Sequence, residues 1–484
     1  MASLQALLVS ICAVTTTVLA IPTTRSTSPI VALGGGEFIG TTSDGVNRFL
    51  GIPFLLVGDL RLCLPQALGP YSGTHNATAF GLSCPQQATT LMIPNRLPQE
   101  AADFHGSKLP VVGSFATGSS SLEALNEPVV YVSLNYRWTI NALLAFGLLA
   151  SQEVKDAGVS NLGLHDLGIM VLRWIQKYNY AFGGDSSKVT IWGQSAGSVS
   201  VSLQMLTNGG NTEGLFRAAF MQSGMPSPIG DITHGQRYYD DLVVRTGCSD
   251  SSDTLACLWA APYDELKAAM DSSQLIATYN SLALVWQKLA QQGSIASIPF
   301  VTGDCDDEGT LFALSQLNDR RGLAQSFIRI LPAKMQNATD AELDELLTLY
   351  PQDDTQGSPY DTGTQDAFTP QFKRIASILG NSVFQAPRRF FLNNVSDKQN
   401  TGAFLSKRLK WMPVLGELTD YLIHFATHLD PNGGSSPQWS QYTTSLPQLM
   451  TLLESSVTNT TTTLDTYRVD EISLLTELWL AHSL

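Results

Sequence analysis

Residues 189–201 read Val-Thr-Ile-Trp-Gly-Gln-Ser-Ala-Gly-Ser-Val-Ser-Val, so Ser195 stands in a Gly-x-Ser-x-Gly frame between Gly193 and Gly197. A β-rich run enters the frame and a small-residue helix leaves it. In that context a serine sits on a tight strand-to-helix turn with its Oγ exposed. The two glycines remove Cβ atoms where strand and helix crowd together. Backbone N–H groups at the helix start, Ala196 first, then face any negative charge that develops beside Oγ. The chemistry this supports is nucleophilic attack by a serine. It needs a base to take the hydroxyl proton and a carboxylate to orient the base. Four acids, Asp304, Asp306, Asp307 and Glu308, follow the apolar run Ile298–Val301. On residue type alone any of the four could serve, and so could none, as a solvated acidic loop.

Such a serine must be held by a sheet. Short apolar runs at Pro128–Tyr136, Val189–Trp192, Phe216–Met221, Ile298–Val301 and Met412–Leu415 read as strands buried on both faces, as in a parallel sheet. Between them lie helical patterns. Leu164, Leu167, Val171, Trp174, Ile175 and Tyr178 fall on one stripe at helical spacing. Strands alternating with helices predict an α/β fold with crossover connections. The stretch Ile30–Phe54 alternates differently, with glycines at turn positions, and predicts an antiparallel hairpin region. No repeat or long linker divides residues 21–484, which are expected to form a single large domain. The only low-complexity stretch is Thr458–Thr463.

Of the 484 residues, 44% are apolar and only 14% charged, against roughly 25% charged in an average soluble domain. That is a globular composition rather than a disordered one. The net charge of −14 disfavours nucleic acid as a partner. Within residues 1–20, Leu4 to Leu19 is uncharged and mostly apolar or small, and the segment ends Val18-Leu19-Ala20, the pattern of a cleaved secretory signal peptide. No later run reaches the length of a transmembrane segment. Four Asn-x-Ser/Thr tripeptides, at Asn76, Asn337, Asn394 and Asn459, are candidate N-glycosylation sites of a secreted, extracellular chain. Cys12 leaves with the signal, and Cys63, Cys84, Cys248, Cys257 and Cys305 remain, an odd number. Cys248 and Cys257 flank a polar turn and are expected to form a local disulfide.

The chain resembles the type-B carboxylesterase/lipase family of α/β-hydrolases, which includes cholinesterases and secreted fungal lipases and sterol esterases. The segments that carry the likeness are Asn47-Arg-Phe-Leu-Gly-Ile-Pro-Phe54, Tyr131-Val-Ser-Leu-Asn-Tyr-Arg137, Asn161-Leu-Gly-Leu164 with Asp166, Ala181-Phe-Gly-Gly-Asp185, the Ser195 frame, and Asp307-Glu-Gly-Thr310. The resemblance implies an α/β-hydrolase fold with a mostly parallel central sheet, and a carboxylic ester hydrolase acting on ester or lipid substrates. It implies Ser195 as nucleophile and Glu308 as acid. Gly113 and Ser114, placed by the register of Phe115 and Gly118, would join Ala196 in the oxyanion hole. The acyl-enzyme route uses side chains and water, so neither metal nor organic cofactor is expected. Family lipases carry a lid after the cysteine matching Cys84. Here Leu91, Met92, Ile93, Leu97 and Phe104 could line an acyl site, with transient contact to a lipid interface, or simply pack as a loop.

The chain departs from this pattern in several places. The family's Gly-Gly-Phe turn has Ser114 in place of a glycine, and the partner cysteine of Cys84 is absent. The family histidine lies in a Phe-His loop after the segment matching Met412-Pro-Val-Leu-Gly416. Here Gly416 runs directly into Glu417 and a helix bearing His424 and His428. That pair reads as exposed helix histidines rather than a metal site, since no third ligand follows at a telling spacing. Short stretches are missing after Phe54, before Leu109, before Gly113, after Trp286 and after Gly416. Losses beside intact motifs resemble misjudged exon boundaries. The histidine base is therefore unassigned, and the chain as written is expected to hydrolyse esters poorly. The alternatives are a catalytically silent relative that binds a partner and the product of a faulty gene model.

Overall fold

In the computed structural model the described residues are 28–43, 45–56, 62–81, 127–134, 149–226, 231–272, 286–313, 338–407, 417–433, 437–453 and 460–482. The signal segment, Cys84, the Leu91–Phe104 region, Gly113, Ser114, His105, Asn337, Met412–Gly416 and Asn459 lie outside them.

The N-terminal strands β1 (Ile30–Leu33) and β2 (Gly35–Ile39) pair antiparallel, as do β3 (Thr41–Ser43) and β4 (Val46–Arg48). The hairpin region thus forms where the glycine spacing places it. Strand β5 (Ser72–Asn76) joins β2 in parallel to complete a three-stranded sheet.

The central sheet has six strands, β6 (Thr190–Gln194), β7 (Ala218–Gln222), β8 (Phe300–Cys305), β9 (Thr401–Ser406), β10 (Gln448–Leu452) and β11 (Thr460–Leu464), in spatial order 11-10-9-8-7-6. All neighbours are parallel except β10 and β11. Alternation along the strands sorts the core into two layers. Ala219, Met221, Phe300, Ala403, Leu405 and Leu449 pack with Leu203, Leu206, Trp286 and Phe391 on one side. Ala218, Phe220, Val301, Phe404, Met450 and Leu452 meet Leu418, Tyr421, Phe425 and Trp439 on the other. Every residue of β7, β8 and β9 is buried, as in a sheet covered on both faces.

The structure departs from the sequence expectations at four places. Residues 128–134 of the Pro128–Tyr136 run are not a strand, and Val130, Tyr131 and Val132 are exposed. Strand β8 begins and ends later than Ile298–Val301 and carries Asp304 inside it. Strand β9 was not expected, because Thr401-Gly-Ala-Phe-Leu-Ser406 mixes small and polar residues that only a sheet-centre environment makes strand-like. Part of the Thr458–Thr463 tract is the antiparallel edge strand β11, where the β-branched Thr463 hydroxyl meets that of Thr451 at 2.6 Å. The 164–178 stripe is helical, as predicted, but passes through a π-helical turn at Asp166–Val171.

Cys248 and Cys257 are bonded, S–S 2.07 Å, across the polar turn that precedes the helix Thr254–Ala260.

Candidate active site

Ser195 lies between the end of β6 and the helix Ala196–Leu206, with φ 54° and ψ −122°. A serine adopts such a backbone only when both flanking elements dictate it. Its N–H donates to the Gln222 carbonyl of β7 at 2.9 Å, and its carbonyl accepts from Val199 N at 3.0 Å. Gly193 explains the tightness, since a Cβ there would stand 2.2 Å from the Gly197 carbonyl carbon. A Cβ on Gly224, after β7, would come within 2.6 Å of the Ser195 carbonyl oxygen. Gly197 differs from the expectation: a Cβ on it meets nothing within 4 Å, so the crowding falls on Gly193 and Gly224. Ala196 opens the helix, where N–H groups have no intrahelical acceptor.

The four acids separate by partner. Asp304 is inside β8, buried, and accepts from Arg388 Nε at 2.9 Å. Asp306 pairs with Arg468 at 2.9 Å. Asp307 accepts from Ser358 Oγ and Tyr360 N, both at 2.8 Å. Glu308 is the acid without an ion-pair partner among the described residues. Its Oε1 accepts the Cys305 N–H at 2.7 Å, and the Ser223 hydroxyl also favours its ionised form. The residue caps the short helix Gly309–Phe312 three positions past β8. Ser195 and Glu308 therefore leave the same edge of the sheet, on strands separated only by β7, about 10 Å apart at the usual strand spacing.

Burial, and after it the negative charge of Asp304, push the Glu308 carboxyl up to about 8. Those are the conditions of a carboxylate withdrawn from water with no cation beside it. In a complete triad the imidazole faces that carboxylate. Among the described residues no histidine hydrogen-bonds Ser195 or Glu308. His424 Nδ1 lies 2.8 Å from the Asp430 carbonyl, and its ring stacks on His428 at 4.2 Å. The helix that bears them, Glu417–His428, has its last carbonyls held by Arg217, at 2.7 Å for Ala426 and 3.0 Å for Thr427. Arg217 precedes β7, so the pair belongs to the opposite end of the strands from Ser195. His75 stacks on Phe38 in the N-terminal sheet. His482 bonds Glu342 and His234 is exposed in a 3₁₀ turn. His165 follows Leu164, whose carbonyl holds Gln204, nine residues along the helix from Ser195. Among the described residues no three His, Cys, Asp or Glu side chains are gathered to hold a metal, and no helix is long and apolar enough to cross a membrane.

Of the tripeptide asparagines, Asn76 is exposed at the end of β5. Asn394 is in the helix Ala386–Val395, its amide donates to the Phe390 carbonyl at 2.8 Å, and Ser396 is fully buried.

A mostly parallel sheet covered on both faces, with a strained serine after one strand and a buried acid two strands away, is the arrangement of the α/β-hydrolase fold. Residues 104–408 match the carboxylesterase family, and relatives align along almost the whole chain, so the chain belongs to that family. Lipase 4 of Diutina rugosa is 35% identical, the match covering 93% of this chain and 96% of that protein. Secreted lipase 1 of Botryotinia fuckeliana is 33% identical over 87% and 88% of the two chains. A secreted triacylglycerol lipase of Gibberella zeae is 32% identical over 86% of each. The crystal structure of Aspergillus niger EstA superposes with a TM-score of 0.74 over 94% of this chain and 99% of that one, at 22% identity, and so shares the fold. The alignment with Lipase 4 runs over 546 positions, more than the 484 residues present, so that relative carries stretches which this chain lacks.

Proposed function

We propose that the chain is a secreted hydrolase of carboxylic esters, folded as one domain over residues 21–484, with Ser195 as nucleophile and Glu308 as the carboxylate that orients the base. The observation that carries this is the Ser195 backbone, which is strained, pinned by Gln222 and placed on the same sheet edge as Glu308. Such strain persists only where the surrounding structure over-determines it, and it clusters at functional sites. Ser195 Oγ attacks the acyl carbon, its proton passes to the base, and the alcohol leaves to give an acyl-enzyme that water hydrolyses. Ala196 N–H, with Gly113 and Ser114, stabilises the oxyanion. Secretion is supported by the apolar leader ending at Ala20 and by relatives named as secreted lipases. The substrate class is an ester or lipid, in keeping with the same relatives.

The chain as written is proposed to be a poor catalyst, because no histidine among the described residues hydrogen-bonds Ser195 and the family's Phe-His loop is missing after Gly416. Losing a triad base costs on the order of 10⁴–10⁶ in rate. That same gap favours a second reading, a silent relative that binds a partner. Three proteins test both readings: the chain itself, its Ser195→Ala variant, and a version with a family-like histidine loop inserted between Gly416 and Glu417. Each is assayed with short-chain p-nitrophenyl esters and a fluorophosphonate probe. The expected result is weak labelling at Ser195 and turnover only in the repaired version, which would also point to a faulty gene model. Turnover by the unmodified chain that His424→Ala abolishes would overturn the assignment of the base. No labelling in any version would leave the silent relative.

A further inference from the structure

A long helix runs from Phe372 to Val395, and it is interrupted by a π-helical turn at Asn381–Gln385. Pro387 accounts for the interruption. Proline lacks an N–H, and its ring conflicts with the carbonyl four residues back, so a local widening of the helix relieves both. The first half presses on the turn that carries Glu308. A Cβ on Gly309 would lie 1.9 Å from the Ala376 carbonyl oxygen and 2.4 Å from Gly380 N. The π turn then brings Gln385 and Arg388, three residues apart on one face, against the end of β8. Gln385 Nε2 donates to the Cys305 carbonyl at 2.7 Å. The N–H of the same residue, Cys305, donates to Glu308 Oε1 at 2.7 Å.

The orientation of the Gln385 amide is over-determined. Its Oε1 faces two donors, the Tyr467 hydroxyl and Arg388 Nη2, so its Nε2 must face the Cys305 carbonyl. Arg388 is itself fixed. It donates to Asp304 Oδ2 at 2.9 Å, to Asp465 at 2.8 and 3.1 Å, and to the Tyr467 hydroxyl at 2.7 Å, with both Gln385 and Arg388 fully buried. Burial opposes charge on Asp465, and Arg388 with Arg389 overcomes it to hold that carboxyl well below the usual range.

We propose that Gln385 is a positioning residue for Glu308, acting through the backbone of Cys305 and locked in its orientation by Tyr467 and Arg388. This rests on Glu308 being the acid of the site. A donor fixed on the Cys305 carbonyl limits rotation of that residue, so its N–H stays aimed at the carboxylate. The charged and titratable groups around Glu308 are Asp304 and Cys305 on β8, with Arg388 and Asp465 behind Asp304. The carboxylate thus keeps its aim although nothing else on its own loop binds it. Without the clamp the Cys305 N–H would swing, and Glu308 would lose a donor to its ionised form.

The test reads Glu308 directly, by carbon NMR titration of the full chain labelled at glutamate carboxyls, with Glu308→Gln to assign the signal. Gln385→Leu should raise the Glu308 midpoint by about one unit, the share of a hydrogen bond to a charged group that is lost. Asp304→Asn should lower it, since a neighbouring negative charge is removed. A merely structural role for Gln385 would let water in and drop the midpoint towards about 4.3. A fall, or no change, in Gln385→Leu overturns the proposal. Should that variant fail to fold, Tyr467→Phe keeps the ring but frees the amide, and must shift the midpoint upward by a smaller amount. Ester turnover and probe labelling are measured separately. A chain inert in both whose Glu308 midpoint still rises loses the hydrolase reading and keeps the positioning role.

Discussion

Replacing Glu308 with glutamine should stabilise the protein, and more so as the pH rises. The glutamate carboxyl is raised from 4.5 to about 8, with burial the larger cause and Asp304 the next. An acid whose folded value lies above its unfolded value holds its proton longer when folded. Stability is unaffected below the unfolded value, falls between the two, and stays lowered above the folded one. At about 1.36 kcal/mol per unit, that interval sets a ceiling near ~5 kcal/mol. Relaxation of the loop and the shared titration with Asp304 reduce it to roughly 2–5 kcal/mol. Glutamine keeps an oxygen for the Cys305 N–H, so the neutral analogue loses little else. For a chain of 484 residues the unfolding entropy makes 1 kcal/mol worth about 1 °C. Thermal unfolding of both proteins at pH 4 and pH 9 should give nearly equal midpoints at the lower pH and a variant higher by about 2–5 °C at the upper. Equal midpoints at pH 9, or a destabilised variant, would mean that Glu308 is ionised and compensated, and the reasoning would fail.

Gly309→Ala forces a Cβ against the Ala376 carbonyl and Gly380 N, both backbone atoms, and should cost about 1–3 kcal/mol in denaturant unfolding. Replacing Cys248 and Cys257 together by alanine opens a loop of about ten residues and should remove roughly 2–3 kcal/mol, read in the same way. Glycopeptide mapping of the secreted chain should find sugar at Asn76 and none at Asn394, whose amide is bonded within a helix and whose serine is buried. In the version with a restored histidine loop, His424→Ala should leave ester turnover unchanged, because its ring is engaged at the far end of the sheet.

The sequence by itself determined the elbow and the class of fold. Gly193 is a steric demand that admits no other residue type, so it is written openly in the chain, whereas the crowding expected at Gly197 falls on Gly224, which only the packed structure shows. The buried strand β7 was legible for a related reason, since apolar and small residues fill both faces of a covered sheet, while β8 was legible only at its apolar start. The local disulfide followed from two cysteines close in sequence. Strand β9 was not legible, because Thr401, Gly402 and Ser406 become strand residues only through the neighbours that β8 and β10 supply. The run at Pro128–Tyr136 failed in the opposite sense, apolar in sequence yet without a strand in residues 128–134.

The partners of the four acids were left to the tertiary structure. Asp304, Asp306 and Asp307 are set aside by Arg388, Arg468, Ser358 and Tyr360, each at least 50 residues distant in the chain. The resemblance had pointed to Glu308, but its raised affinity for a proton comes from burial and from Asp304, which no local pattern records. The Gln385 clamp was equally invisible, as a helix glutamine says nothing of its partner until a proline-induced π turn swings it onto a strand eighty residues earlier. Steric demands and periodicity act between neighbours in the chain, so they can be read from it. Hydrogen bonds between buried polar groups join residues that meet only when the sheet and its helices have packed.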